Sequence, residues 1–298
     1  MPLSPKERLK KTFPKTTSPH WHSRFSSSYW AWQITLGLLP LILLNVIIDF
    51  QDTLRLLIFA VLSGLMCDYL FAFFHREEIT IDDGSSFLLC LLFILVIPRY
   101  TPWWAVMLGV FFVIAAGKAC FGGWGQYIFH PSLAGLIFLA TCFAGEITPY
   151  LRAYEYGTQQ AVIPFYAWFF QVDAPTLGNM SPIAVLIGGM VLAWHRRIDP
   201  RTPATFLAAL LILALLIGIR IDRLFLSHPI ALFAFFILPD SSTSPITSRG
   251  RIWAGIACAL FFLFFKSWLT GIEALAYSVL IINGLTPLLD RYARFVRS

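Results

Sequence analysis

The chain has 298 residues, of which 58% are hydrophobic and 13% are charged. Soluble domains carry about 25% charged residues, so this chain has too little charge to cover a water-exposed surface of its size. A soluble enzyme, a disordered chain and a small disulfide-bonded scaffold are therefore excluded. The net charge of +6 does not indicate nucleic-acid binding, because six of the 22 Lys and Arg residues precede the first apolar segment. The composition predicts an all-α, polytopic membrane protein.

Ten apolar segments are candidates for membrane-crossing helices. They lie near 30–49, 54–74, 84–98, 102–117, 129–147, 181–195, 203–219, 224–239, 252–269 and 272–289. A crossing helix needs about 20 residues, so the segments near 84–98, 181–195 and 224–239 are short. Short spans in matching places of two halves are typical of inverted repeats. His-Pro occurs at residues 130–131 and 228–229, which is a weak indication of two related halves.

The distribution of basic residues predicts the orientation of the chain. If both termini are cytoplasmic, sixteen of the 22 Lys and Arg residues lie on the cytoplasmic side and six on the other. This asymmetry follows the positive-inside rule. We therefore predict a basic cytoplasmic arm over residues 1–28, one transmembrane domain over 29–291 and a basic cytoplasmic tail over 292–298. Within the transmembrane domain, an extracytoplasmic loop is expected at about 148–180.

Two stretches carry groups suited to a ligand. Residues 117–135 contain a lysine and closely spaced glycines, which allow the backbone to approach a flat ring. Residues 237–251 place several hydroxyl side chains before an Arg-Gly-Arg run, a combination that favours anions at a helix N-terminus. Ordinary helix packing through glycine and an ordinary capped loop remain the alternatives.

Acidic residues inside apolar segments are also candidates. Asp68 lies within the second predicted span, where a carboxylate is costly unless it faces protein or water. Ion coupling and an interfacial position are equally open for it. The five cysteines form no CxxC pair, and no metal site is predicted.

Together the two stretches resemble the membrane-protein family that contains the D subunit of the Rnf electron-transport complex and the B subunit of the sodium-translocating NADH:quinone oxidoreductase. The residues that match the first family motif are Gly117, Lys118, Phe121, Gly122, Gly123, Gly125, Phe129 and Pro131. Those that match the second are Asp240, Thr243, Thr247, Arg249, Gly250 and Arg251. The resemblance covers about residues 84–291, with a gap near 150–180. It implies a bundle of about ten spans with inverted repeats, similar in shape to urea transporters.

The resemblance also implies a flavin. Redox members of the family carry covalent FMN on a threonine between spans five and six, but neither Thr158 nor Thr176 has the required context here. The chain is thus similar to a shortened member without covalent flavin, and it would hold riboflavin or FMN non-covalently. The implied cofactor-binding residues are Asp240, Thr243, Thr247, Arg249, Gly250, Lys118, Gly122, Gly123 and Gly125.

The first functional hypothesis is a protein that passes electrons between redox partner subunits in the bacterial cytoplasmic (inner) membrane, with coupled movement of Na⁺ or H⁺. The alternative is a transporter or channel-like protein for a small polar solute on the same scaffold, which the missing threonine favours. A third hypothesis is a membrane anchor that docks redox partners through the basic arm. No nucleophile–base pair or nucleotide-binding motif is present, so stand-alone enzyme activity is not expected.

Overall fold

The computed structural model describes residues 27–75, 83–160 and 165–295. Within these ranges the chain is built from helices, and the β-type pairing they contain is one isolated bridge between Pro98 and Thr176. The predicted all-α class is confirmed. Residues 1–26 of the predicted arm and 296–298 of the predicted tail lie outside the described residues.

The described ranges contain α-helices that we number in chain order. They are α1 (Ser27–Ile48), α2 (Phe50–His75), α3 (Ser85–Val96), α4 (Trp103–Phe112), α5 (Pro131–Cys142), α6 (Ala144–Gln160), α7 (Pro182–Trp194), α8 (Arg201–Ile217), α9 (Ile221–Ser227), α10 (Ile230–Leu232), α11 (Ser248–Phe265) and α12 (Gly271–Phe295). Two continue as π-helical segments, Val113–Lys118 after α4 and Phe233–Ile237 after α10. Short 3₁₀ turns cover Ala119–Phe121, Phe165–Trp168 and Leu177–Asn179.

The ten apolar segments are all helical but differ in length. Five form helices long and apolar enough to cross a membrane: Ser28–Ile48, Phe50–Phe74, Trp103–Phe121, Ser248–Phe265 and Gly271–Ala293. A sixth is the pair α5 and α6, which are bent by 101° at their junction. Of the three segments predicted to be short, two are α3 with 12 residues and α7 with 13, and the third, near 224–239, consists of helical pieces of 7, 3 and 5 residues. The helix α8, which was not predicted to be short, has 17 residues. The described chain therefore has five or six full-length candidates rather than ten, and the predicted shortness of three segments is confirmed.

Two of the ten segments differ from their predicted bounds: one ends early, and the other is interrupted. The span expected near 129–147 stops at Cys142, and α6 then occupies the first part of the predicted loop at 148–180. The segment near 224–239 is divided by Pro229, because proline lacks an N–H and keeps His228 in an extended conformation.

Helix contacts repeat between the two halves of the bundle. Among the ten segments, the second packs on the fourth (α2 on α4) and the seventh on the ninth (α8 on α11). The first and sixth pack on each other (α1 and α7), as do the fifth and tenth (α5 and α12). This is the pattern of two five-segment units. In two such units the third segment is equivalent to the eighth, and the fifth to the tenth. One His-Pro site lies before the fifth segment and the other within the eighth, so the two sites are not at equivalent positions.

Small residues and one short helix form the centre of the bundle. A side chain at Gly188 would lie 2.0 Å from the Gly37 carbonyl, so glycine is required where α1 crosses α7. The short helix α3 has eleven of its twelve residues buried. This short helix is therefore almost completely enclosed by the described bundle.

The loops separate into two groups at opposite ends of the bundle. At one end Arg197 donates to the Tyr29 hydroxyl (2.8 Å) near the start of α1, and Asp290 near the end of α12 accepts from Thr247 (2.6 Å). At the other end Arg99 forms an ion pair with Asp49 and donates to a carbonyl of the 165–180 segment. Since α1 begins and α12 finishes at the same end, the number of crossings is even. The assignment of that end to the cytoplasm remains a prediction from the positive charges.

Candidate functional site

A cavity of about 960 Å³ opens at the end of the bundle where α1 begins. Its wall contains Trp124 and Gly125 from the first of the two ligand-suited stretches, and Asp240 with neighbouring serines from the second. Residues 196–202, which join α7 to α8, complete it. Ligand pockets occupy about 300–1,000 Å³, so the cavity has room for an aromatic cofactor. The two stretches predicted to act together do meet in space.

The glycine-rich stretch is a turn. Gly122, Gly123 and Gly125 have φ values of 95°, 107° and 84°, a left-handed conformation that favours glycine. Gly125 lines the cavity, and a Cβ placed on it would lie 3.9 Å from the Ser242 hydroxyl. Gly122 and Gly123 lie outside the cavity lining. Their part is to reverse the chain so that Trp124 reaches the cavity.

Asp240 is one of the two predicted site residues that line the cavity, the other being Gly125. Its Oδ2 atom is buried without a hydrogen-bond partner among the described residues. Its nearest polar groups are the N–H groups of Ser241 and Ser242 and the hydroxyls of Tyr127 and Thr243. Burial raises the pKa of Asp240 from 3.8 to about 6, although these donors oppose the shift. Within the described part of the chain, the groups around this carboxylate are neutral donors rather than cations.

Thr243 holds the loop rather than lining the cavity. Its side chain is buried, and its carbonyl accepts a hydrogen bond from the Thr286 hydroxyl of α12 (2.9 Å). The Thr243 Oγ1 atom makes no regular hydrogen bond among the described residues, although it lies near the Asp240 carboxylate. Thr243 therefore lies behind Asp240 as seen from the cavity.

Thr247 and Gly250 form the cap of α11. The Thr247 hydroxyl accepts from the Gly250 N–H (3.1 Å) and donates to Asp290 Oδ1 (2.6 Å). Asp290 also accepts the N–H groups of Ile246 (3.0 Å) and Thr247 (2.9 Å). A Cβ on Gly250 would lie 2.6 Å from that hydroxyl. Neither residue lines the cavity, and the cap of α11 is Thr247 rather than Ser248, the residue that the sequence suggested for a capped loop.

The two arginines of the Arg-Gly-Arg run point to different places. Arg249 is exposed and lies outside the cavity lining, whereas Arg251 lines it. Arg251 forms an ion pair with Asp199 and donates through Nε to the Pro245 carbonyl (2.8 Å). The predicted electrostatic role of Arg249 therefore fits Arg251 better.

The loop between α7 and α8 brings further basic residues that were not among the predicted site residues. Arg196, Arg197 and Arg201 all line the cavity. The Arg197 guanidinium also lies over the rings of Tyr29 (4.9 Å) and Trp30 (5.3 Å). The sequence run HRRIDPR contains this signal, but a basic loop of this kind is equally typical of membrane orientation.

Lys118 lies away from the cavity, in a buried ion pair with Asp68. Its Nζ atom is 3.2 Å from Asp68 Oδ1, 3.5 Å from Oδ2 and 2.6 Å from Ser86 Oγ. The three residues come from α2, α3 and the π-helical segment after α4. The ammonium explains how a carboxylate is tolerated within the second span. The geometry does not support the predicted contact of Lys118 with a flavin in the cavity.

Comparison with known proteins identifies the family. Residues 15–297 match the model of the NQR2, RnfD, RnfE family. The chain is 30% identical to the D subunit of the ion-translocating oxidoreductase complex of Methanosarcina acetivorans, over 94% of each chain. It is 28% identical to the D subunit of the Na⁺-translocating ferredoxin:NAD⁺ oxidoreductase complex of Acetobacterium woodii, over 94% of this chain and 93% of the relative. It is also 26% identical to the D subunit of the proton-translocating ferredoxin:NAD⁺ oxidoreductase complex of Clostridium ljungdahlii, over 97% and 96%. The chain belongs to the NQR2, RnfD, RnfE family.

Proposed function

We propose that the chain is the RnfD-type component of an ion-translocating electron-transport complex and that it binds a flavin non-covalently in the cavity beside Asp240. The relatives from M. acetivorans, A. woodii and C. ljungdahlii are components of such complexes. The observation that carries the flavin proposal is the Asp240 oxygen without a partner among the described residues, in a cavity with aromatic and basic walls.

The donors and acceptors of the cavity suit a flavin. Asp240 Oδ2 offers an acceptor for a ring N–H, and a buried acceptor without a partner in the described chain gains most from a ligand donor. Trp30 and Trp124 provide apolar ring surfaces, and Arg196, Arg201 and Arg251 provide positive charge. Riboflavin and FMN share the ring, while the arginines favour the phosphate of FMN.

The bound flavin would supply the capacity to accept electrons and to pass them on. The role of the chain is to position the ring and to set the charge around it. Arg251 lies within the cavity wall and favours added negative charge there, while its ion pair with Asp199 fixes the guanidinium. Asp240 orients the ring and, because its own pKa is raised to about 6, it accommodates a proton at mildly acidic pH.

Non-covalent binding is supported by the position of Thr176. Its side chain is completely buried, and its Oγ1 atom has no partner among the described residues. An attachment enzyme would have to open the packed core to reach this hydroxyl. The side chain of Thr158 lies outside the described residues.

The proposed setting is the cytoplasmic membrane, with both termini inside and other components of the complex as partners. The relatives include one sodium-translocating and one proton-translocating complex, so either ion is a candidate for this chain. The cavity opens at the end that the positive charges assign to the cytoplasm.

An absorbance spectrum of the detergent-purified protein, before and after acid precipitation, tests the proposal. We expect flavin absorbance that moves into the supernatant and that falls severalfold in Asp240→Ala. The matched control is Asp222→Asn, because Asp222 pairs with Arg220 at an exposed site outside the cavity lining.

Two results would contradict the proposal. Flavin that stays with the precipitate would show covalent attachment. A folded protein that remains colourless after addition of riboflavin and FMN would favour the alternative of a solute transporter on the same scaffold.

A further inference from the structure

The ammonium of Lys118 is surrounded by oxygen ligands of the kind that alkali cations prefer. Its hydrogen-bond partners are both carboxylate oxygens of Asp68 and the hydroxyl of Ser86. Carboxylate and hydroxyl oxygens are typical ligands of hard cations, which bind oxygen rather than nitrogen or sulfur. Lys118 thus occupies the position that a small cation would take between these atoms.

The site is enclosed and requires one positive charge. The exposed fractions of Asp68, Ser86 and Lys118 are 9%, 5% and 6%. A single buried carboxylate is strongly unfavourable without a compensating cation. The adjacent Ser85 hydroxyl is also buried and lacks a hydrogen-bond partner among the described residues. One carboxylate balances one ammonium at this site, so a cation that replaces the ammonium must be monovalent to keep the site neutral.

The backbone that carries Lys118 is itself unusual. Lys118 is the last residue of the π-helical segment Val113–Lys118. Such segments are rare and are frequently found at functional sites. A change from π-helical to α-helical pairing over these six residues would turn Lys118 about the helix axis relative to Val113, because the two helix types have different numbers of residues per turn. This rotation provides a route by which the ammonium leaves the oxygen ligands.

We propose that Asp68 and Ser86 form a binding site for a monovalent alkali cation, and that Lys118 occupies it as a tethered cation. The site accepts Na⁺ or K⁺ when Lys118 is withdrawn or replaced. This proposal deepens the ion-coupling part of the proposed function but does not depend on flavin binding, because the three residues lie outside the cavity.

Lys118→Met tests the proposal, because it removes the ammonium and keeps an apolar chain of similar length. Thermal unfolding of the purified protein is followed in NaCl, KCl and choline chloride at equal ionic strength. We expect NaCl or KCl, but not choline chloride, to stabilise Lys118→Met. Well above the dissociation constant, a tenfold increase in the concentration of the bound ion raises the folded-to-unfolded ratio about tenfold.

The matched controls are the wild type and the double variant Asp68→Asn/Lys118→Met. Neither should show alkali-specific stabilisation, because the site is filled in the first and uncharged in the second. If Lys118→Met does not fold, Lys118→Gln undergoes the same salt series, since glutamine retains a hydrogen-bond donor for Asp68.

Two outcomes would overturn the proposal. One is a folded Lys118 variant with the same stability in all three salts. The other is alkali-specific stabilisation of Lys118→Met that the double variant Asp68→Asn/Lys118→Met retains in full, because the ion would then bind elsewhere. Flavin content measured in the same samples reports on the proposed function separately.

Discussion

Asp68 and Asp240 are two carboxylates that lie beside the two π-helical segments, and they differ in what compensates their charge. Lys118 ends the first π-helical segment and pairs with Asp68. Asp240 follows the second, Phe233–Ile237, and has neutral donors around it and one oxygen without a partner among the described residues. The same backbone feature thus accompanies a carboxylate paired with a cation of the protein itself and a carboxylate that, in the proposed function, is completed by a ligand.

The largest effect on stability is expected at Asp68, because its charge is compensated by a lysine of the protein itself. Lys118→Met should lower the free energy of unfolding by roughly 3–5 kcal/mol in choline chloride, because it leaves the Asp68 carboxylate buried and unpaired. Asp68→Asn/Lys118→Met should recover most of the loss. Urea or thermal unfolding in detergent measures both. Equal losses in the single and double variants would show that packing, rather than charge, is responsible.

The next effect is a pH dependence at Asp240. Because the folded pKa is about 6 and the ordinary value is 3.8, the folded state binds more protons between these values. The contribution of Asp240 to stability therefore falls as the pH rises from about 4 to about 6, and stays low above that range. Asp240→Asn removes this dependence. We expect the variant to gain stability relative to the wild type between about pH 4.5 and about pH 7.5, measured as the difference in unfolding temperature. A constant difference would contradict the raised pKa.

A third carboxylate in the same region, Asp290, shows compensation by backbone donors. Thr247→Ala removes both the helix cap and a hydrogen bond to Asp290, and should cost about 1 kcal/mol or slightly more. Thr247→Ser keeps the hydroxyl and should remain near wild type in unfolding experiments. If the alanine variant instead loses flavin without losing stability, the predicted role of Thr247 as a ligand group would be restored.

The smallest effect is expected at Arg249. It is exposed and lies outside the cavity lining, so Arg249→Gln should change the free energy of unfolding by less than about 0.5 kcal/mol. Arg251→Gln removes the ion pair with Asp199 and a bond to the Pro245 carbonyl, and should cost about 1 kcal/mol. The flavin content should fall in Arg251→Gln only. Equal losses in the two variants would support the sequence-based assignment of Arg249 to the flavin site.

Local sequence patterns predicted the helices and the family, but not the partners of individual side chains. Apolar segments contain information about nearby backbone, so the all-α class and the short segments followed from them, whereas the break at Pro229 was not predicted. Lys118 and Asp68 are 50 residues apart, and Thr247 and Asp290 are 43 apart. Such pairs depend on how helices pack, which a single sequence does not encode locally. For the same reason the basic loop between α7 and α8 could not be linked to the cavity.

The short central helix also has an electrical consequence. The twelve residues of α3 extend about 18 Å, whereas the hydrocarbon layer of a bilayer is about 30 Å thick. Ser86 at its start contacts Lys118, and Arg99, just after its end, pairs with Asp49. Charged clusters therefore approach each other across a thinner insulating layer than the surrounding lipid provides. Charge moved between the two ends of α3 would therefore travel about 18 Å through the bundle rather than the roughly 30 Å of the hydrocarbon layer.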